Sequence, residues 1–136
     1  MAVRWATPEV LMHEKVSIQS DVWAMGVLCR EVFSGGPEPY SHVSENLSEV
    51  SLYVKDGGRL TNPNSASCSE VAFTELMQPC WADAAAERPG FGELYDVALK
   101  HGAQEDEEVI ESRVAHRPEQ VDGTLIHRMS SQAARD

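Results

Sequence analysis

Basic residues are scarce in this chain. Lys and Arg number 11 against 22 Asp and Glu in 136 residues, for a formal net charge of −11 and a pI near 4.8. Duplex binding rests on neutralising phosphates with cations, so the charge argues against a nucleic-acid partner and, for the same reason, against direct contact with an anionic membrane. Long apolar runs are missing too: none approaches the roughly 18–20 residues of a membrane span. The start, Met1-Ala2-Val3-Arg4-Trp5, lacks the basic-then-apolar build of a secretory signal. Cysteine is sparse. Cys29, Cys68 and Cys80 form no CxxC and no zinc-like spacing with any of the five scattered histidines, and there is no HExxH. No metal site is expected. An odd number of widely spaced cysteines suits a reducing, cytoplasmic setting, where they act as small buried hydrophobes.

Hydrophobic residues make up 42% of the chain, enough for one small domain with a core. Residues 1–100 alternate apolar-periodic segments with Gly, Pro and Ser. Residues 101–136 open on Glu105-Asp106-Glu107-Glu108 and show little periodicity, which reads as an acidic, disordered tail. A helix over Val109–Ala115 would be marginal alone.

The first hundred residues predict four helices and no convincing strand. Ser20 and Asp21 are cap-type residues ahead of a segment from Val22 to Phe33, in which nine of twelve residues are apolar and point all round the helix. Such a helix is expected to be buried on most sides, with more apolar surface than three partner helices can cover. Gly35-Gly36-Pro37 then stops it. Asn46-Leu47-Ser48-Glu49 resembles a capping box, with Leu47, Val50 and Val54 on one face and Gly57-Gly58 as a stop. After Ser67 and Ser69, the residues Phe73, Leu76, Met77, Cys80 and Trp81 fall at i, i+3, i+4, i+7 and i+8. Pro89 suits the first turn of a fourth helix carrying Phe91, Leu94, Tyr95, Ala98 and Leu99.

The junctions between these helices carry a resemblance. Val3-Arg4-Trp5-Ala6-Thr7-Pro8-Glu9, then Ser20-Asp21-Val22-Trp23-Ala24-Met25-Gly26-Val27, is similar to the C-lobe of a protein kinase of the tyrosine-kinase branch, whose usual string is VRWMAPE. Ser34-Gly35-Gly36 through Pro39-Tyr40, Leu76-Met77, Cys80-Trp81, and Glu87-Arg88-Pro89 with Phe91 continue it in order. The match covers about residues 2–100. It implies an all-α architecture, the lower helical part of a kinase C-lobe, beginning at the substrate end of the activation segment.

The resemblance also assigns roles. Val3, Arg4 and Trp5 match the loop that receives the residue after the phosphoacceptor tyrosine; with Arg4 read as exposed, they are the candidate substrate-binding residues. Pro8, Glu9, Asp21, Trp23, Gly26, Trp81, Arg88 and Pro89 match structural positions. Glu9 and Arg88 correspond to a carboxylate–guanidinium pair, although separately each would ordinarily be a solvated charge. Asp21 matches an Asp that accepts hydrogen bonds from the catalytic-loop backbone, besides its plain capping role. Trp23 and Trp81 are expected to pack in the core. Of three tyrosines open to phosphorylation, Tyr40, Tyr53 and Tyr95, the last two are expected to pack as well.

Several residues depart from the pattern. Ala6-Thr7 replaces Met-Ala, and Arg30 stands where Trp is frequent. Pro79 inside the third helix would cost on the order of 3 kcal/mol unless the helix kinks. Gly90 and Gly92 weaken the fourth helix by roughly 1 kcal/mol each.

Phosphoryl transfer in this family needs a Gly-rich loop, a strand Lys with its Glu, an HRD…N loop and a DFG Asp for magnesium, and none occurs here. The expected contribution of the chain is therefore substrate docking and scaffold support, with no catalytic and no cofactor-binding residue. ATP and Mg2+ are implied for a complete parent domain, which could be membrane-anchored, and a tyrosine-bearing protein is its implied partner. The rival expectation is a non-catalytic, pseudokinase-like helical interaction module.

Overall fold

Thr7, Ser17 and Asn46 each accept a hydrogen bond from a backbone N–H two or three residues on, at 3.1, 3.2 and 2.9 Å, and each opens a helix. A computed structural model describes residues 2–115, apart from the side chains of residues 104–106 and 108. The helices so begun are α1 (Pro8–His13), α2 (Ile18–Phe33) and α3 (Leu47–Lys55). The last helix is α4 (Phe91–Ala115), and short 3-10 turns lie at Val3–Trp5, Gln78–Trp81 and Ala85–Glu87. No strand occurs among the described residues. The arrangement is all-α, as the sequence predicts.

The cap of α2 is not where composition placed it. Ser17 and Ser20 form a reciprocal capping box: the Ser20 N–H donates to the Ser17 hydroxyl, and the Ser17 N–H donates to the Ser20 hydroxyl at 2.8 Å. The helix therefore starts at Ile18, and Asp21 lies inside its first turn with its side chain exposed. Nor is α2 buried all round. Val22, Trp23, Gly26 and Val27 face the core. Met25, Leu28 and Val32 are 41%, 49% and 68% exposed. With Ile18 and Asp21 they fall at 18, 21, 25, 28 and 32, one stripe at helical period.

The third helix resolves the problem of Pro79. Residues 70–71 continue into a π-helical stretch, Ala72–Met77, followed by the 3-10 turn Gln78–Trp81 with Pro79 in its first two positions. There the ring breaks no i→i−4 hydrogen bond of a helix interior. Phe73, Met77, Cys80 and Trp81 are all buried, so the stripe keeps its core face through the change of winding.

By contact, the described residues divide into one unit ending at Gly102 and another beginning at Ala103. The core of the first unit joins Trp23, Val27, Val50, Val54, Met77 and Trp81. Tyr40 is buried there, edge-to-face with Tyr53 at 6.0 Å between ring centroids. Tyr95, expected to pack, is 64% exposed, because only Leu94 of its stripe reaches the core. Pro89 stands ahead of α4 rather than in its first turn: the Leu94 N–H bonds to the Gly90 carbonyl, so the helix opens after Gly90.

The helical backbone continues through residue 115, where a disordered tail was expected from 101 onward. Residues 103–115 hold no Gly or Pro and many strong helix formers, and extending an existing helix avoids the nucleation cost of a separate one. The rest of the expected tail, residues 116–136, lies outside the described residues.

Candidate functional site

Among the described residues the longest reach is made by Arg88, which lies 79 positions after Glu9. Its Nη1 donates to Glu9 Oε1 at 2.6 Å and its Nη2 to Oε2 at 3.0 Å, a two-pronged pair. The same guanidinium donates to the carbonyls of Ala82, Gln19 and Asp83 at 2.9, 3.3 and 3.3 Å. Its side chain is fully buried, whereas that of Glu9 is 28% exposed. Burial pushes the Glu9 carboxyl up. The bonds from Arg88, a backbone N–H, the Arg88 charge and Thr7 outweigh it, and the carboxyl ends below the ordinary range.

Thr7 is the departure that turns out to be useful. It is fully buried, and its hydroxyl caps α1, the helix that presents Glu9 from its first turn.

Trp23 is fully buried and faces two cations. The Arg88 guanidinium carbon lies 5.0 Å from its ring centroid and that of Arg59 4.6 Å. Arg59 was missed in the sequence. It donates to the carbonyls of Trp81, Val54 and Gly58 at 2.9, 3.2 and 2.8 Å and pairs with Asp83. The signal for it was slight: a cation just past a glycine stop can turn back onto the last carbonyls of the helix it follows. Gly57, at φ +95°, makes that reversal.

Gly26 permits a close approach in the core. A Cβ there would stand 2.7 Å from Cys80 Cβ and 2.8 Å from Trp81 Nε1. Trp81 itself is buried and tilted against Phe73 at 6.2 Å. Asp21 lies apart from this cluster, and its side chain has no hydrogen bond or ion pair among the described residues.

The loop Val3–Trp5 corrects an expectation. Arg4 is not exposed; only 4% of its surface meets solvent. Its Nη1 donates to the Pro39 carbonyl at 2.7 Å and its Nη2 to those of Ser44 and Glu45, both at 3.3 Å. Its Nε lies 3.2 Å from a Glu38 carboxylate oxygen. A guanidinium offers five donors, and this loop turns them onto the 38–45 segment instead of outward. Trp5 packs against the core. Val3 alone of the three lines an open groove, of about 420 Å³, together with residues of α1 and α3.

Among the described residues, no three His, Cys, Asp or Glu converge. Gly35-Gly36 and Gly57-Gly58 close α2 and α3, with N–H groups spent on helix carbonyls. Neither turn therefore offers a phosphate cradle for ATP, and no described cluster offers a ligand set for Mg2+. No described helix is long and apolar enough to cross a membrane.

Comparison with known proteins agrees with the matched strings. The family model of protein tyrosine and serine/threonine kinases matches residues 1–97. The chain is 42% identical over 96 residues to Protein sevenless of Drosophila melanogaster, covering 71% of this chain and 4% of that protein. It is 45% identical over 91 residues to Protein sevenless of Drosophila virilis, covering 67% and 3%. It is 39% identical over 92 residues to Inactive tyrosine-protein kinase 7 of Gallus gallus, covering 68% and 8%. The chain thus spans less than a tenth of the length of these curated relatives. It belongs to the protein tyrosine and serine/threonine kinase family, as a kinase-domain segment of the tyrosine-kinase branch.

Proposed function

We propose that these residues are the substrate-docking and scaffold part of a protein tyrosine kinase domain, whose complete form transfers the ATP γ-phosphoryl group to a protein tyrosine. The observation that carries this reading is the bare stripe of α2. The first unit leaves Met25, Leu28 and Val32 of its central helix exposed, with an Asp21 carboxylate among them that has no partner among the described residues. Apolar side chains at helical spacing around a lone acceptor suit a second packed element that offers backbone N–H groups. On this reading further residues of the lobe, including the catalytic loop, cover the stripe and bond Asp21. They would also hold ATP and magnesium, with Val3–Trp5 facing the tyrosine-bearing substrate. The three free cysteines suit a reducing, cytoplasmic setting for the domain.

A second reading, a non-catalytic kinase-derived interaction module, is favoured by the 39% identity to Inactive tyrosine-protein kinase 7. The coding sequence upstream of Met1, followed by assay of the complete product, separates the two. An HRD…N loop and a DFG Asp there, with magnesium-dependent transfer from ATP to a tyrosine peptide, supports the enzyme. A product without those motifs or without transfer supports the module. The 136-residue chain by itself is expected to show neither Mg–ATP binding nor transfer, and saturable ATP binding by calorimetry would overturn that account.

A further inference from the structure

Helix α2 borders α4 along an open groove of about 570 Å³. Met25 and Cys29 of α2, Leu76 of the π-helical stretch, and Phe91, Tyr95 and Ala98 of α4 line it, with no charged residue among the described lining. Leu28 and Val32, one turn on from Met25 and Cys29, form a ridge beside the groove and are 49% and 68% exposed. Tyr95 and Leu99 carry the bare apolar surface across to α4, at 64% and 55% exposure. All of these residues belong to the unit ending at Gly102.

We propose that in the 136-residue chain this face binds a second copy of itself, the Leu28–Val32 ridge of each copy entering the α2–α4 groove of the other about a two-fold axis. The occupant follows from the shape. A ridge and a groove of like chemistry lie side by side, and a two-fold axis seats both ridges in both grooves at once. The area agrees. Met25, Leu28, Val32, Phe91, Tyr95 and Leu99 are each 41% exposed or more. Together they leave on the order of 600 Å² of apolar surface bare per copy, the upper end of what a soluble monomer shows. A polar rim brings that to the roughly 800 Å² per partner that stable interfaces bury. Asp21, seven residues before Leu28, falls at the end of the stripe and stays wet at the rim, since burying an unpaired carboxylate would oppose association. The pairing does not rest on the kinase reading. It uses the face that the rest of a complete lobe would cover, so pairing and lobe assembly exclude each other.

The test is sedimentation equilibrium of the 136-residue chain, which should show a monomer–dimer equilibrium. The dimer should tighten as salt screens the repulsion between two copies of net charge −11. Leu28→Lys and Tyr95→Glu should each weaken pairing by more than about ten-fold, with unchanged helical circular dichroism, because each sets a lone charge against an apolar wall. Mixed one to one, the two variants should pair again. One ridge-to-groove contact then joins the new ammonium to the new carboxylate, and the other is unaltered on both sides. Leu52→Glu, at an exposed position of α3, should leave the dimer intact. A monomer at every concentration overturns the proposal, as does open-ended association without a dimer plateau. So does a dimer that survives Leu28→Lys, one lost with Leu52→Glu, or a mixture of the two variants that stays monomeric. Phosphotransfer by the complete domain is read separately. Transfer there with a monomeric 136-residue chain overturns the pairing alone, and a dimeric chain with no transfer by the complete domain overturns the catalytic reading alone.

Discussion

Removing either side of the Glu9–Arg88 pair should hurt, but not equally. Arg88→Ala takes away two bonds to Glu9, three to backbone carbonyls and a cation facing Trp23, all from a fully buried site. A loss of that kind costs about 3–5 kcal/mol. Glu9→Ala strands a buried guanidinium, yet three carbonyl partners remain and the carboxylate it loses is 28% exposed. Its cost should fall to about 2–3 kcal/mol, between the values for exposed and buried pairs. The double variant should cost less than the sum by about 1–2 kcal/mol, because the second change removes a partner already orphaned. Urea unfolding followed by tryptophan fluorescence measures all three differences. Additivity within about 0.5 kcal/mol would refute the pairing as an energetic unit.

The pair also sets a direction with pH. The Glu9 carboxyl lies below its ordinary range in the folded chain, the bonds from Arg88, a backbone N–H and Thr7 and the Arg88 charge outweighing the opposing effect of burial. Its stabilisation is therefore complete above the unfolded carboxylate pKa and is lost as pH falls through the lower, folded one. Glu9→Gln should flatten that part of the stability profile. An unchanged acid slope would show that other carboxylates carry it.

Three further outcomes follow from the packing. Gly26→Ala should destabilise by about 1–3 kcal/mol despite its better helix propensity, since its Cβ would stand 2.7 Å from Cys80 Cβ; a gain in melting temperature would contradict the close approach. Cys80, its thiol pushed up to about 12 chiefly by burial, should resist thiol reagents at pH 8 in the native chain and react in urea; mass-spectrometric labelling of native Cys80 within minutes would count against the buried site. Thr7→Val keeps shape but deletes the cap of α1, and should cost about 1 kcal/mol in chemical denaturation; no loss would mean the Val10 N–H finds another acceptor.

Where the sequence could be read correctly, the determining contacts were local or the pattern was long. The Phe73–Trp81 stripe predicts its buried face even though the backbone passes from π to 3-10 winding. The Asn46 cap is visible because its partner lies two residues away. At α2 two caps competed. Ser20 and Asp21 are the cap types next to the apolar run, but Ser17 with Ser20 satisfies two backbone donors at once, and that reciprocity wins. Arg4 and Arg59 were illegible for a different reason. A lone arginine carries no periodicity, and what fixes each is a set of carbonyls distant in sequence that only the fold assembles.

The α2 stripe shows how periodicity and burial come apart. An apolar side chain at helical spacing specifies a face that excludes water when something covers it; it does not specify what covers it. In the first unit, Val22, Trp23, Gly26 and Val27 meet the π-helical and 3-10 segments, and Gly26 lets those backbones come within contact distance. On the opposite side Met25, Leu28 and Val32 are apolar too but substantially exposed, and Asp21 lies in line with them. The Glu9–Arg88 tie holds α1 to the segment before α4 from the covered side, through Gln19 at the start of α2. The tie therefore fixes where the bare stripe begins, and a change in either charge should disturb the uncovered face as well as the core it braces.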